Sequence, residues 1–224
     1  MNLLAIETSS DACSVALQVA DATRERHELG ARQHTGILLP MIVELLHEAN
    51  IGIADLDAVV LGNGPGSFIG MRIGASVAQG ICFGAGLKLV PVSSLAAVAA
   101  EAMKQADADR VLVTQDARMS QVYLGRYRRD SNGLPVAEAM EEIRDIGEFA
   151  GLTHSYLAAG AAWQKYPELR RQNRARISDI ADIPCPRASF LLELGAKSQR
   201  QGGAINADAL QPSYIRREVA RKPG

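Results

Sequence analysis

The segment Gly62-Asn63-Gly64-Pro65-Gly66-Ser67 has the residue types of a ligand-binding loop. Glycines accept positive φ and let a ligand approach the backbone, and amides that lead into a helix form an anion-binding concavity. Phosphate binding through Gly64, Gly66 and Ser67 is the chemistry this loop would support; a plain tight turn is the competing reading. No Gly-Lys-Ser/Thr follows, so it is not a Walker A loop. The dinucleotide spacing and a ribose-binding acid are also missing. A second polar turn, Glu7-Thr8-Ser9-Ser10, offers the hydroxyls of Ser9 and Ser10 to a terminal phosphate and the Glu7 carboxylate to a magnesium ion through water. Asp116 with Arg118 occupies the corresponding place later in the chain. Facing each other across a cleft, these groups would bind a nucleotide.

Metal and nucleophile chemistry find less support. Two imidazoles on one helix face need i, i+4 spacing, and no two of His27, His34, His47 and His154 are four apart. Ser67 lies in Gly-Pro-Gly-Ser-Phe, not in the Gly-x-Ser-x-Gly of a nucleophile elbow. His34 precedes a helix start, where a structural or solvent role is expected. Cys13, Cys82 and Cys185 form no Cys-x-x-Cys pair and read as buried thiols of a reduced, cytoplasmic protein. No catalytic residue and no metal site are expected.

The elements that position these groups follow from hydrophobic patterning. Leu3 to Ile6 is a short apolar strand ended by Glu7, Ser14 to Val19 resumes as a strand, and a third extended stretch covers Thr23 to Ala31. A helix is expected over Gly36 to Asn50, with Thr35 as N-cap and Pro40 near its first turn. Then come a buried strand at Ala58 to Leu61, the glycine loop, a helix from Gly70 to Phe83, a strand from Lys88 to Val92 and a helix from Ser94 to Gln105. From Val111 the opening pattern returns: strand, acidic turn at Asp116, strand from Gln121 to Tyr127, then a turn at Asn132-Gly133. A strand end at Tyr156 to Gly160 and an amphipathic helix from Pro186 to Arg200 follow. Strand, acidic turn, strand twice over predicts a duplicated α/β protein, with domains at 1–106 and 107–224.

Bulk properties narrow the function. The 224 residues are 47% hydrophobic and 22% charged, with a formal net charge of -1 and 4% aromatic residues. Such a chain buries a real core but offers neither a global positive field nor many stacking rings to nucleic acid. No run approaches about 18 uninterrupted apolar residues, and the first residues carry no basic leader, so neither a membrane span nor a signal peptide is expected.

Leu4-Ala5-Ile6-Glu7-Thr8-Ser9, His34-Thr35-Gly36-Ile37-Leu38-Leu39-Pro40 and Gly64-Pro65-Gly66-Ser67-Phe68-Ile69-Gly70-Met71-Arg72-Ile73-Gly74 closely resemble the TsaB family, once called YeaZ. So do Gln115-Asp116-Ala117-Arg118 with Val122-Tyr123, and Pro212-Ser213-Tyr214-Ile215-Arg216. The likeness runs in order over nearly the whole chain. It implies a duplicated actin-like ATPase fold (ASKHA, ribonuclease H-like), two lobes each with a mixed sheet flanked by helices. It also implies a non-catalytic subunit that pairs with a paralogue, TsaD, which carries the catalytic metal, and works with the ATPase TsaE. Together these transfer a threonylcarbamoyl group from its adenylate to N6 of adenosine 37 in tRNAs reading codons that begin with A. This chain would need no cofactor, weak ATP or ADP binding aside. In the paralogue an HxxxH follows the strand corresponding to Lys88 to Val92; here Ser94 and Val98 stand in those places. The alternatives are an ATP-dependent actin-like kinase or ATPase, with Glu7 or Asp116 as base, and a glycoprotease-type metallopeptidase, which the missing histidines disfavour.

A chain without chemistry of its own needs a surface that does its work. Apolar residues cover most of the wheel of the helix from Gly36, and Gly70, Gly74, Ala78 and Cys82 form a small-residue stripe that lets another helix approach. Ile37, Leu38, Met41, Ile42 and Leu45, with Ile73, Gly74, Val77 and Ala78, are the interface candidates. They would meet the same helices of TsaD or, in its absence, of a second copy, making a four-helix contact that a charge at Met41 or Ile73 would break. Packing inside the chain's own fold is the competing reading. Arg170, Arg171, Arg174 and Arg176, and Arg216, Arg217, Arg221 and Lys222, could add tRNA phosphate contacts within a complex.

Overall fold

The computed structural model describes residues 1–30 and 34–215; Arg216, Arg217, Arg221 and Lys222 lie outside the described residues. Leu3–Glu7 (β1), Ala12–Val19 (β2), Ala22–Leu29 (β3), Ala58–Gly62 (β4) and Lys88–Val92 (β5) form one sheet in the order β3-β2-β1-β4-β5. β1 runs antiparallel to β2 and parallel to β4, which in turn pairs parallel with β5. The second sheet contains Arg110–Arg118 (β6), Gln121–Arg129 (β7), Pro135–Ala137 (β8), Glu142–Asp145 (β9), Tyr156–Ala159 (β10) and Ile177–Ile180 (β11), in the order β11-β10-β6-β7-β8, with β9 also on β7. β6 is antiparallel to β7 and parallel to β10, and β11 is parallel to β10. The second sheet therefore repeats the first strand for strand, and Glu7 and Asp116 fall at the ends of equivalent strands.

The helices are His34–Glu48 (α1), Phe68–Ala85 (α2), Ser94–Ala106 (α3), Ala162–Lys165 (α4), Pro167–Asn173 (α5) and Ala188–Arg200 (α6). α1 starts at His34, so Thr35 sits in its first turn and is not its cap. α2 starts two residues before the expected Gly70 because Ser67 caps it, its Oγ accepting from the Gly70 amide at 3.2 Å. Gly86, at φ +67, ends α2 in the left-handed region that favours glycine.

β1 is buried along its whole length because both faces of the sheet are covered. Leu4 and Ile6 point to the side packed by α1 and α2, in a core with Leu38, Ile42, Leu45 and Ala78. Leu3 and Ala5 point to the other side, where α6 packs with Leu191 and Leu192. α3 packs on the second sheet instead: Leu95, Val98, Ala102 and Met103 meet Val111, Val113 and Tyr127. Trp163 and Leu169 of α4 and α5 cover that sheet's opposite face with Leu112 and Leu124. Strands β1–β5 lie within 1–106 and β6–β11 within 107–224, while the cores cross that line, since each half lends a helix to the other. After α6 the chain returns to the first lobe, where Ile205 bridges to Leu89 and Leu210 enters the core.

α6 has no local N-cap, and the first lobe supplies one. The Ser14 Oγ accepts from the Ala188 amide at 3.0 Å, and Glu25 accepts from the Ser189 amide at 2.9 Å and from Arg187 Nη2 at 2.6 Å. Glu101 of α3 feels the Arg187 charge. It is only 6% exposed, and while Gln105 donates to one of its oxygens, the other has no protein partner. Burial pushes its carboxyl up to about 7, against the pull of Arg187. A carboxyl raised on folding stabilises fully below its unfolded value near 4.5 and loses that contribution as pH rises through about 7. Glu101→Gln should therefore raise stability at pH 8 by up to roughly 3 kcal/mol and have little effect at pH 4.5, read from urea midpoints at the two pH values.

α2 is long and apolar enough, by length and composition, to cross a membrane. One of its faces is nonetheless committed to the first lobe through Gly70, Met71, Gly74, Ala75, Ala78 and Cys82. Its other face is what remains to be explained.

Candidate functional site

The two lobes enclose a cavity of about 410 Å³ at the ends of β1 and β6. Ser9, Ser10, Gly66 and Ser67 line it from the first lobe, and Asp116 and Arg118 from the second. Six of the eight nucleotide candidates are thus gathered in one cleft, from turns on opposite sheets.

Glu7 is not among them. It is fully buried behind the cleft, where its carboxylate accepts from the Ser9 amide at 2.6 Å and from Ser94 Oγ at 2.7 Å. Burial pushes its carboxyl up, with the Ser94 and Ser9 hydrogen bonds pulling it back. A water-bridged magnesium ion in the cleft has no access to it, so that expectation is corrected. Gly64 is buried too: its amide donates to Ser94 Oγ at 3.1 Å, and its carbonyl accepts from the Ser94 amide at 2.8 Å. Ser94 therefore bolts the glycine loop to the end of β1. Val98, one turn on, is fully buried in the second lobe's core.

The glycine spacing has a packing cause. A Cβ on Gly66 or Gly70 would fall inside 3.0 Å of the Ser9 or Thr8 carbonyl oxygen, and one on Gly74 would strike Thr8 Oγ1. Glycines at 66, 70 and 74 let the start of α2 lie directly on the Thr8-Ser9 backbone. Thr8 Oγ1 donates to the Gly70 carbonyl at 2.8 Å, and the Ser67 amide donates to the Ser9 carbonyl at 2.6 Å. Two amides that a phosphate would need, those of Ser67 and Gly70, already have protein acceptors.

The same packing corrects the interface candidates. Leu38, Met41, Ile42, Leu45 and Ala78 are at most 5% exposed, and Gly74 is buried, so these six face the chain's own core. Ile37, Ile73 and Val77 lie half-buried at its margin. The most exposed large apolar side chains on these helices are Leu39, Val43, Ile69 and Phe83, from 51% to 87% accessible, with Phe68 at 37%. The i, i+4 pair Leu39 and Val43 was the sequence signal for this outer stripe; it was hidden because α1 is apolar on nearly all sides.

In the second lobe, Asp116 accepts from Lys165 Nζ, from Tyr166 Oη at 2.8 Å and from the Arg118 amide at 2.9 Å. Burial alone would raise its carboxyl, but these bonds, Lys165 first, hold it below the usual range. Arg118, Met119 and Ser120 follow with φ of 63°, 53° and 57°, three successive non-glycine residues in the left-handed region. Each costs about 1 kcal/mol or more, and strain of this kind gathers at functional turns. The rest of the cleft wall is largely apolar, with Pro65, Phe68, Leu95, Met119, Tyr123 and Pro186. Among the described lining residues Asp11 and Asp116 stand against one arginine, Arg118, an unfavourable balance for a triphosphate. Among the described residues no group of three His, Cys, Asp or Glu side chains could share a metal ion. His34 is buried and its Nε2 lies 3.0 Å from the Ala12 carbonyl, tying α1 to β2. Arg170, Arg171, Arg174 and Arg176 are exposed on and after α5.

Two lobes with matching strand order, closed on a cleft at the ends of their first strands, define the actin-like class of the ribonuclease H-like fold. A family model described as TsaD, tRNA N6-adenosine threonylcarbamoyltransferase, matches residues 25–189. The chain is 34% identical to the tRNA threonylcarbamoyladenosine biosynthesis protein TsaB of Escherichia coli (strain K12), over 99% of this chain and 97% of that protein. It is 35% identical to the protein of the same name from Haemophilus influenzae, over 99% and 96%. The solved structure of YeaZ from Pseudomonas aeruginosa matches with a TM-score of 0.88 and 32% identity, over 95% of this chain and 99% of that one. A second Pseudomonas aeruginosa structure, described as similar to peptidase YEAZ, gives 0.89 and 33%, over 96% and 99%. The chain belongs to the TsaB family.

Proposed function

We propose that this chain is the non-catalytic scaffold and activator of a tRNA-modifying complex. Through the outer faces of α1 and α2 it pairs with a TsaD-like paralogue, and with a TsaE-like ATPase the pair transfers a threonylcarbamoyl group to N6 of adenosine 37 in tRNAs reading codons that begin with A. The observation that carries this reading is the exposed apolar surface of Leu39, Val43, Ile69 and Phe83 on two helices whose inner faces are already packed. An apolar patch on a domain that otherwise buries its core marks a docking site. The same surface accounts for the composition of α2 without a membrane, in keeping with a cytoplasmic protein, and would support a homodimer when the paralogue is absent.

Chemistry is assigned to the partner because the corresponding positions here have structural duties. Ser94 is saturated by Glu7 and Gly64, and Val98 lies in a core, so neither offers a ligand to the metal that the partner would hold. Nucleotide binding by the isolated cleft would be weak, given that the Ser67 amide is already occupied and that Arg118 is the one lining arginine among the described residues. With a net charge of -1, this chain would reach tRNA through the complex, its exposed arginines adding a few phosphate contacts.

Reconstitution tests the reading. Omitting this subunit should lower modification of adenosine 37 by about 100-fold or more, equivalent to roughly 3 kcal/mol of barrier. The isolated chain should neither turn over ATP nor modify tRNA, and ATP turnover by the chain alone would favour the actin-like ATPase instead.

A further inference from the structure

Arg72 is the one charged residue among the 18 of α2. It lies on the outward stripe that also carries Ile69, Ser76 and Phe83, spaced as one helix face. Its guanidinium carbon sits 3.5 Å from the centroid of the Phe68 ring and 5.7 Å from that of Tyr214, and its Nε donates to Tyr214 Oη at 3.1 Å. Tyr214 belongs to a segment pinned on the glycine loop, where Asn63 Nδ2 donates to the Gln211 carbonyl at 3.0 Å and the Ser213 amide to the Asn63 carbonyl at 3.3 Å. An arginine side chain ordinarily surrenders rotamer freedom on binding, but this one is already held, stacked on the Phe68 ring and hydrogen-bonded to Tyr214. Its two Nη groups meet no carboxylate among the described residues. A fixed guanidinium with a free fork is complementary to a planar, two-oxygen acceptor.

We propose that Arg72 is the polar anchor of the α1–α2 surface, taking one carboxylate side chain of the docking subunit through both Nη groups. This rests on the reading of that surface as the partner face. A protein carboxylate fits better than an RNA phosphate, because a polyanion needs several cations and α2 supplies one, amid exposed apolar side chains. Arginine and tyrosine are also among the residues that dominate interface energies.

Calorimetric titration of the full chain against the TsaD-like paralogue, at low and high salt, provides the test. Arg72→Met should raise Kd by at least about 30-fold and flatten its salt dependence, and Arg72→Lys should recover only part of the affinity. Tyr214→Ala separates anchoring from a mere clamp: it should weaken binding less than Arg72→Met and keep the salt dependence. An equal loss in both variants, with salt dependence retained in Arg72→Met, overturns the proposal. Val43→Glu in parallel tests the underlying reading. If it abolishes association while Arg72→Met leaves Kd unchanged, the anchor is wrong and the surface stands; if neither matters, the surface itself is wrong. Weakened tRNA binding by the assembled complex carrying Arg72→Met, with subunit association intact, would instead assign the fork to a phosphate and also overturn the proposal.

Discussion

Val43→Glu should abolish co-elution of this chain with its TsaD-like paralogue in size-exclusion chromatography and leave circular dichroism and thermal unfolding unchanged. Val43 is 63% exposed on the outer side of α1, one turn after Leu39 at 51%. In the free chain the new carboxylate stays in water and costs almost nothing. In a complex closed over that helix it loses its hydration with no partner, a penalty of several kcal/mol that amounts to 100-fold or more in affinity. Met41→Glu is the informative contrast. Met41 is 5% exposed in the core with Leu45 and Val15, so a charge there should unfold the first lobe whether or not a partner is present. Loss of association in Met41→Glu alone would remove the support for an interface on α1.

Gly74→Val should be among the most destabilising single substitutions in the chain, costing about 3 kcal/mol or more, measured by urea unfolding. The added Cβ would strike Thr8 Oγ1, whose hydrogen bond to the Gly70 carbonyl joins β1 to α2. Neither wall can retreat, since Thr8 is fully buried and α2 packs on it through both Gly70 and Gly74, while Gly66 just before the helix lies on Ser9. Gly84→Ala supplies the control: nothing lies within 4 Å of its Cβ position, and the change should stabilise the helix by about 0.5–1 kcal/mol. A small effect at Gly74 beside a gain at Gly84 would show that the close approach of α2 to β1 is not a constraint on folding.

Much of the fold could be read from the chain because strand and helix periods are local. The run from Lys88 to Val92 and the return of a strand–acidic turn–strand pattern at Asp116 announced β5 and the duplication directly. What stayed hidden depends on which side of an element is covered. Gly70, Gly74, Ala78 and Cys82 read equally well as a stripe for a second protein or for the sheet beneath, and only the position of Thr8 decides for the sheet. Glu7 carried the residue type of a magnesium ligand, but its access was closed by Gly62 and Ser94, distant in sequence. The aromatic clamp on Arg72 was illegible for the same reason, since Phe68 and Tyr214 stand at opposite ends of a long loop of chain.

The crossed placement of α3 and α6 has a consequence for synthesis on the ribosome. The sheet of the first lobe is complete at Val92, but the face formed by Leu3, Ala5, Ala16, Val60 and Val90, touched by Ala97 of α3, is not fully covered until α6 has been made. At the usual pace of translation that is roughly 100 residues and some 5–20 seconds later. Throughout that interval the nascent chain displays a flat apolar sheet beside the exit tunnel, the kind of surface that holding chaperones bind. Neither half carries all the helices that cover its own sheet, and a ribosome that stalls between Val92 and Arg200 leaves that face of the first sheet without α6.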